Sequence, residues 1–220
     1  MSLLQSSRPQ RGYTIAELLS VIFVLALITT VVALIIGPLM RSQSQTQAKV
    51  DTVQAADMAL YRIERDLRNT DSGLIYVCTT GASPACTTPA TTLTATSAIV
   101  MPSAYKSGTG QFQLQTSSGA PKWQGATVYW ADSKGNLNVA FDPPPGYIQG
   151  STLSASDAAN AMKDVTASGG MQLARFVEQL YLAVPGGVNQ NQVDFQLQAK
   201  STVNGALNET TYHTHVETRN

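Results

Sequence analysis

Between Ile15 and Met40 the chain carries a single charge, Glu17, near the start of an otherwise apolar run. A hydrocarbon core about 30 Å thick takes roughly 20 apolar residues to cross as a helix, and this run is long enough. Whatever fold follows must be built onto a segment that belongs in a bilayer or among other helices. A carboxylate inside such a segment costs at least ~2.5 kcal/mol near the bilayer centre and less toward an end, so Glu17 calls for a partner rather than lipid. A cleavable secretory signal does not fit, because its apolar region runs about 7–15 residues and ends at a small-residue site. Here the far end reads Ile35-Ile36-Gly37-Pro38-Leu39-Met40-Arg41, with no Ala-x-Ala-like site. The leader holds Arg8 and Arg11 and no acid, which sets the N-terminus on the cytoplasmic side and the remainder outside.

Beyond the run the pattern changes without breaking. Val53, Ala56, Leu60, Ile63 and Leu67 recur at spacings of 3 and 4, one face of an amphipathic helix. Glu64 and Arg68 form an i,i+4 pair in the favourable orientation, and Arg62 and Asp66 the reverse one. Asp71-Ser72-Gly73 supplies a stop. The spacing predicts one helix from about Tyr13 to Asn69, roughly 85 Å at 1.5 Å per residue. Pro38 would kink it, since it removes a backbone donor and crowds the preceding turn. A free-standing coiled coil is the alternative for Val53–Leu67, but only about two heptads are visible, so packing against the chain's own sheet is expected.

The remainder reads as strands and loops. Leu74–Val77 is a short apolar run leading to Cys78. A Thr-, Gly-, Ala- and Pro-rich loop follows and ends at Cys86. The two cysteines either form a disulfide, worth about 2.5 kcal/mol on the chain-entropy model, or remain unpaired thiols; an extracytoplasmic compartment favours the bond. Thr87–Thr96 is low in complexity and reads as a solvated loop, and Ala98–Met101 as a strand. Thr127–Trp130 and Leu137–Phe141 flank Asp132-Ser133-Lys134-Gly135-Asn136, a hairpin signal with Gly in its turn. Asp142-Pro143-Pro144-Pro145-Gly146 must be a connection. A short helix is expected within Ser151–Asp164, capped by Ser154 or Ser156. Phe176–Val184 reads as a strand ended by Gly186-Gly187, although Leu173, Phe176 and Leu180 also fit a helix turn. Val193, Phe195, Leu197 and Ala199 alternate with polar residues as a strand with one wet face. Asn204-Gly205 marks a turn, and Thr211–Thr218 a final strand. The whole is α+β: a long N-terminal helix, membrane-spanning in its first half, laid on an antiparallel meander. Its parts are a leader (1–12), a membrane or assembly helix (13–40), an amphipathic helix on the head (41–70) and a β-rich head (71–220).

The N-terminal stretch Gly12-Tyr13-Thr14-Ile15-Ala16-Glu17-Leu18-Leu19 resembles the leader junction of type IV prepilins and type II secretion pseudopilins. The resemblance implies cleavage after Gly12, N-methylation of the new first residue Tyr13, and Glu17 as the fifth mature residue, the one used in assembly. Tyr13 stands where Phe is commoner. Pro38 falls later than the helix-breaking proline of many major pilins. Tyr61-Arg62-Ile63-Glu64-Arg65-Asp66-Leu67-Arg68 and Val216-Glu217-Thr218-Arg219-Asn220 are similar to W-type minor pilins and J-type minor pseudopilins. The implied partners are other pilin or pseudopilin subunits, the prepilin peptidase and methylase, an inner-membrane assembly platform and membrane lipid, with no cofactor. The implied location is the inner membrane before assembly, then a pilus or pseudopilus.

Other classes find less in the sequence. Formal net charge is zero, with 14 basic and 14 acidic residues, so no electrostatic argument favours nucleic acid. His213, His215 and Glu217 share one strand face with Asp194 able to lie opposite, a conceivable metal set that exposed strand residues also produce. Asp132 in its loop could suggest calcium, but Lys134 interrupts it and the oxygen ligands do not alternate. The serines lack a nucleophile-elbow context and Gly186-Gly187 lacks that of a phosphate loop, so no enzyme is expected. Trp123, Tyr129, Trp130 and Phe141 read as core before they read as a stacking platform. Two further hypotheses stand beside a structural subunit: a tip-located binding module for DNA, a surface or an exported protein, and an uncleaved membrane-anchored enzyme.

Overall fold

The computed structural model describes residues 14–81, 83–105, 111–116, 119–142, 153–185, 191–203 and 206–218. Gly12 and Tyr13, the Pro143–Gly146 connection, Gly186-Gly187, the Asn204-Gly205 turn and the closing Arg219-Asn220 lie outside them. The chain divides into two compact units, 1–47 and 48–220. One long helix, α1 (Ile15–Arg68), contributes to both and continues through Pro38. In the first unit every residue from Thr14 to Ser44 is exposed.

Among its described residues the second unit contains Ala48–Arg68 of α1, ten strands and a second helix. The strands are β1 (Tyr76–Cys78), β2 (Cys86–Thr87), β3 (Thr94–Thr96), β4 (Ala98–Ser103), β5 (Gly125–Ala131), β6 (Asn136–Asp142), β7 (Met171–Arg175), β8 (Val177–Ala183), β9 (Gln192–Val203) and β10 (Ala206–Glu217). The helix α2 (Ala155–Ser168) lies between β6 and β7. Every pairing is antiparallel, so the α+β class with a long N-terminal helix is what the chain adopts.

The single meander expected from sequence is instead two sheets. One runs β2-β1-β4-β5-β6-β7 and the other β10-β9-β8-β3. Nor does the first sheet have a wet face at its centre. Ile99, Met101, Tyr129, Leu137 and Val139 pack on one side with Ala56, Ala59, Ile63 and Leu67 of α1 and with Leu180, Leu182, Phe195 and Leu197 of the second sheet. Ala98, Val100, Val128 and Trp130 point the other way, where α2 covers them with Ala158, Ala161, Met162 and Val165. Strands buried on both faces lose their alternation, which is why β4 and β5 carry near-continuous apolar runs. Each fully buried Ile or Leu here contributes roughly 1.5–3 kcal/mol. The second sheet keeps the predicted alternation, with Val193, Phe195, Leu197 and Ala199 buried.

Two further expectations change. The solvated loop at Thr87–Thr96 ends in β3, the short edge of the second sheet. The strand expected at Phe176–Val184 forms as β8; a further strand, β7, precedes it, and the chain leaves one sheet and enters the other at Phe176. Phe176 has φ +65, a left-handed backbone that costs a non-glycine residue about 1–2 kcal/mol. Backbone bonds hold that corner: its carbonyl accepts from Lys200 N–H at 2.6 Å, and Val177 N–H donates to Gly135 at 2.9 Å. Lastly, Asp66 does not pair with Arg62, because its carboxylate turns toward the core.

The predicted caps and turns are present. Ser154 caps α2 in a reciprocal box with Asp157. Asp132 organises the β5–β6 turn, where Gly135 takes φ +76. Cys78 and Cys86 form a disulfide across the β1–β2 pair.

Candidate functional site

Among the described residues, the N-terminal half of α1 is exposed along its length. Ile15, Leu18, Leu19, Val21, Ile22 and Phe23 are all more than half exposed. This helix is long and apolar enough to cross a membrane, and none of its most apolar stretch is buried inside the protein. Ile15–Met40 rises about 39 Å at 1.5 Å per residue, more than a bilayer core of about 30 Å.

The few polar side chains on it are closed on its own backbone. Ser20 Oγ donates to the Glu17 carbonyl at 2.8 Å, Thr29 to Leu25 and Ala26 at 3.0 and 2.9 Å, and Thr30 to Ala26 at 2.8 Å. Hydroxyls satisfied this way add no unmet polar group in an apolar medium.

Glu17 is the exception, and its geometry was missed in the sequence. Thr14 precedes the helix, and its N–H and hydroxyl both donate to Glu17 Oε2, at 3.0 and 3.2 Å. Glu17 N–H returns a bond to Thr14 Oγ1 at 3.4 Å. This is a capping box, and Thr14-x-x-Glu17 ahead of an apolar run is its signature. The carboxylate is therefore turned back toward the start of the helix, where the helix dipole also favours negative charge. Among the described residues its second oxygen, Oε1, accepts no bond.

In the head the main polar assembly is buried. Asp66 Oδ2 accepts from the Tyr129 hydroxyl at 2.6 Å, and Oδ1 from Arg65 Nε and Nη2 at 3.0 and 2.8 Å. Arg65 lies over the Tyr105 ring, 5.2 Å from its centroid. Burial first, and then the Asp66 charge, push the Tyr129 phenol well above its usual range, with Arg62 opposing. A carboxylate satisfied by a phenol and a guanidinium at the end of a helix fixes that helix on its sheet. It offers no nucleophile or open coordination site.

The remaining candidates resolve as follows. His215 Nδ1 meets Asp194 Oδ1 at 2.5 Å, with His213 and Glu217 on the same exposed strand face. Among the described residues no three His, Cys, Asp or Glu side chains are grouped closely enough to hold a metal. Asp132 Oδ1 accepts the N–H groups of Lys134 and Asn136 at 2.8 and 2.9 Å, and Oδ2 accepts from Asn136 Nδ2 at 2.9 Å. Burial raises its pKa, but these bonds outweigh it and hold the carboxyl below its ordinary range. Those bonds tie the carboxylate into its own turn. Tyr129 and Trp130 are buried, and Trp123 and Phe141 partly so. No family model, curated protein or solved structure matches the chain.

Proposed function

We propose that the protein is a minor subunit of a type IV pilus or type II secretion pseudopilus, matured by cleavage after Gly12 and assembled through the N-terminal half of α1. The observation that carries this reading is an exposed apolar stretch, Ile15–Met40, whose one charge, Glu17, is folded back to the first turn of α1 with one carboxylate oxygen unbonded among the described residues. Cleavage after Gly12 creates an α-amine at Tyr13, four residues before Glu17 in the chain. Pairing that amine with Glu17, on the same or a neighbouring subunit, neutralises two charges that neither lipid nor packed helices tolerate singly. Assembly is thereby tied to processing, because the amine exists only after the cut. A head with two sheets and a covering helix is bulky for a repeating subunit, which favours a place at or near the fibre tip.

The test is intact-mass spectrometry of the protein from native membranes or sheared fibres, comparing wild type with Gly12→Ala. The expected result is a wild-type chain beginning at methylated Tyr13 and a variant that keeps residues 1–12. A wild-type chain retaining those residues overturns the proposal.

A further inference from the structure

The chain has only 2 histidines, and both stand on β10, at His213 and His215. Both are exposed on the polar face of the second sheet. His215 lies directly opposite Asp194 of β9, and its Nδ1 meets Asp194 Oδ1 at 2.5 Å. In the neutral ring this contact places the proton on Nδ1 and leaves the lone pair on Nε2. A carboxylate behind an imidazole is the arrangement that orients metal-ligating histidines and raises their basicity. His213 lies opposite Gln196 and has no hydrogen bond among the described residues. Beside the pair, Lys200 bonds Glu178 at 3.1 Å, and Gln198 bonds Tyr181 and Glu209. The outer nitrogens of the two histidines stay open.

The geometry points to a transition-metal site in which His213 and His215 chelate one divalent ion, with Asp194 positioning His215 from behind. Side chains two residues apart on a strand rise from the same face roughly 7 Å from each other. Two nitrogens held by one tetrahedral ion at about 2.0–2.1 Å stand about 3.3 Å apart, so the rings must close roughly 3.5 Å between them. Strand side chains lean along the strand, and His213 is exposed and unbonded, free to make that lean.

Two imidazoles make a chelate and not a closed site. Glu217 shares the face but lies four residues from His213, roughly 14 Å along the strand. No third His, Cys, Asp or Glu joins the pair among the described residues, and both cysteines are closed as a disulfide. The other coordination positions fall to water or to donor groups on whatever the head meets. Imidazole ligands suit Cu2+, Ni2+ and Zn2+ rather than Mg2+ or Ca2+, and among these Cu2+ binds most tightly. What distinguishes this pair from ordinary surface residues is the carboxylate seated behind one ring while the other ring stands free.

The experiment uses the untagged full-length chain in nonionic detergent and the metal ions alone. Titration with Cu2+ followed by electron paramagnetic resonance should show one ion per chain held by two imidazole nitrogens, with Zn2+ competing for it. His213→Ala and His215→Ala each break the chelate, lowering Cu2+ affinity at least about ten-fold and leaving one imidazole in the spectrum. Asp194→Asn weakens binding about ten-fold with both imidazoles kept, since outer partners of ligating histidines are worth about 10–100-fold. All three side chains lie on the solvent side of the sheet, and an unchanged circular-dichroism spectrum shows that each variant has folded. No bound ion, a single imidazole in the wild type, or wild-type affinity in either histidine variant overturns the site. Unchanged affinity in Asp194→Asn overturns the part given to that carboxylate. None of these readings depends on cleavage after Gly12, so the site and the proposed function stand or fall separately.

Discussion

Replacing Tyr129 by Phe isolates the bond that fixes α1 to the central strand of the first sheet. The ring is fully buried and stays in place, and only the hydroxyl that donates to Asp66 at 2.6 Å is lost. Asp66 then keeps Arg65 on one oxygen and has nothing on the other. Its side chain is 10% exposed, whereas Arg65 is 47% exposed, so water can compensate for a lost Arg65 contact far better than for a lost Tyr129 one. A hydrogen bond to a charged group is worth about 1.5–3 kcal/mol. Taking ~2 kcal/mol, and 2–4 °C per kcal/mol for a head of this size, the melting temperature falls by roughly 4–8 °C. The assay is a near-ultraviolet circular-dichroism melt of the full-length chain in detergent, which follows Tyr129 and Trp130 rather than the apolar half of α1. A double-mutant cycle with Asp66→Asn should recover most of the loss as coupling. A shift below ~1 °C, or a cycle without coupling, would show that the contact does not stabilise the fold as reasoned.

The same phenol makes stability fall at high pH. Its folded-state pKa is raised, so its contribution is fully present below the ordinary value near 10 and is lost as pH rises through the folded value. Urea midpoints measured between about pH 9 and 11 should drop for wild type and drop less for Tyr129→Phe. Gly125→Ala would place a methyl 2.4 Å from the Asp142 carbonyl oxygen and 2.4 Å from the Phe141 ring. The carbonyl belongs to the paired strand and cannot step aside, so a loss of about 1–3 kcal/mol in chemical denaturation is expected.

Sequence periodicity located what depends on near neighbours. The apolar run, the buried stripe through Ala56, Ile63 and Leu67, the β5–β6 hairpin and the Ser154 cap are each written within one or two turns of chain. The capping box at Thr14 and Glu17 is equally local, its Thr-x-x-Glu signature lying within four residues of the apolar run. The two-sheet arrangement was not legible. A doubly covered strand such as β4 shows an apolar run that fits several folds, and what covers it, α2, lies more than fifty residues further on. Nor could Asp66 be matched to Tyr129 across 63 residues, when Arg62 offered a partner within one turn. The switch at Phe176 was hidden because a single residue does the work usually marked by a loop.

That short corner also has a consequence in time. The β3 segment finds its place only against β8, with Thr94 reaching across 88 residues to Leu182. The chain is made from its N-terminus at roughly 5–20 residues per second, so β3 exists for several seconds before its neighbour has been synthesised. Once β7 closes the first sheet, Phe176 delivers β8 with no slack to search through. The long wait therefore ends in a short last step, and a spacer inserted after Phe176 would lengthen that step while leaving the wait unchanged.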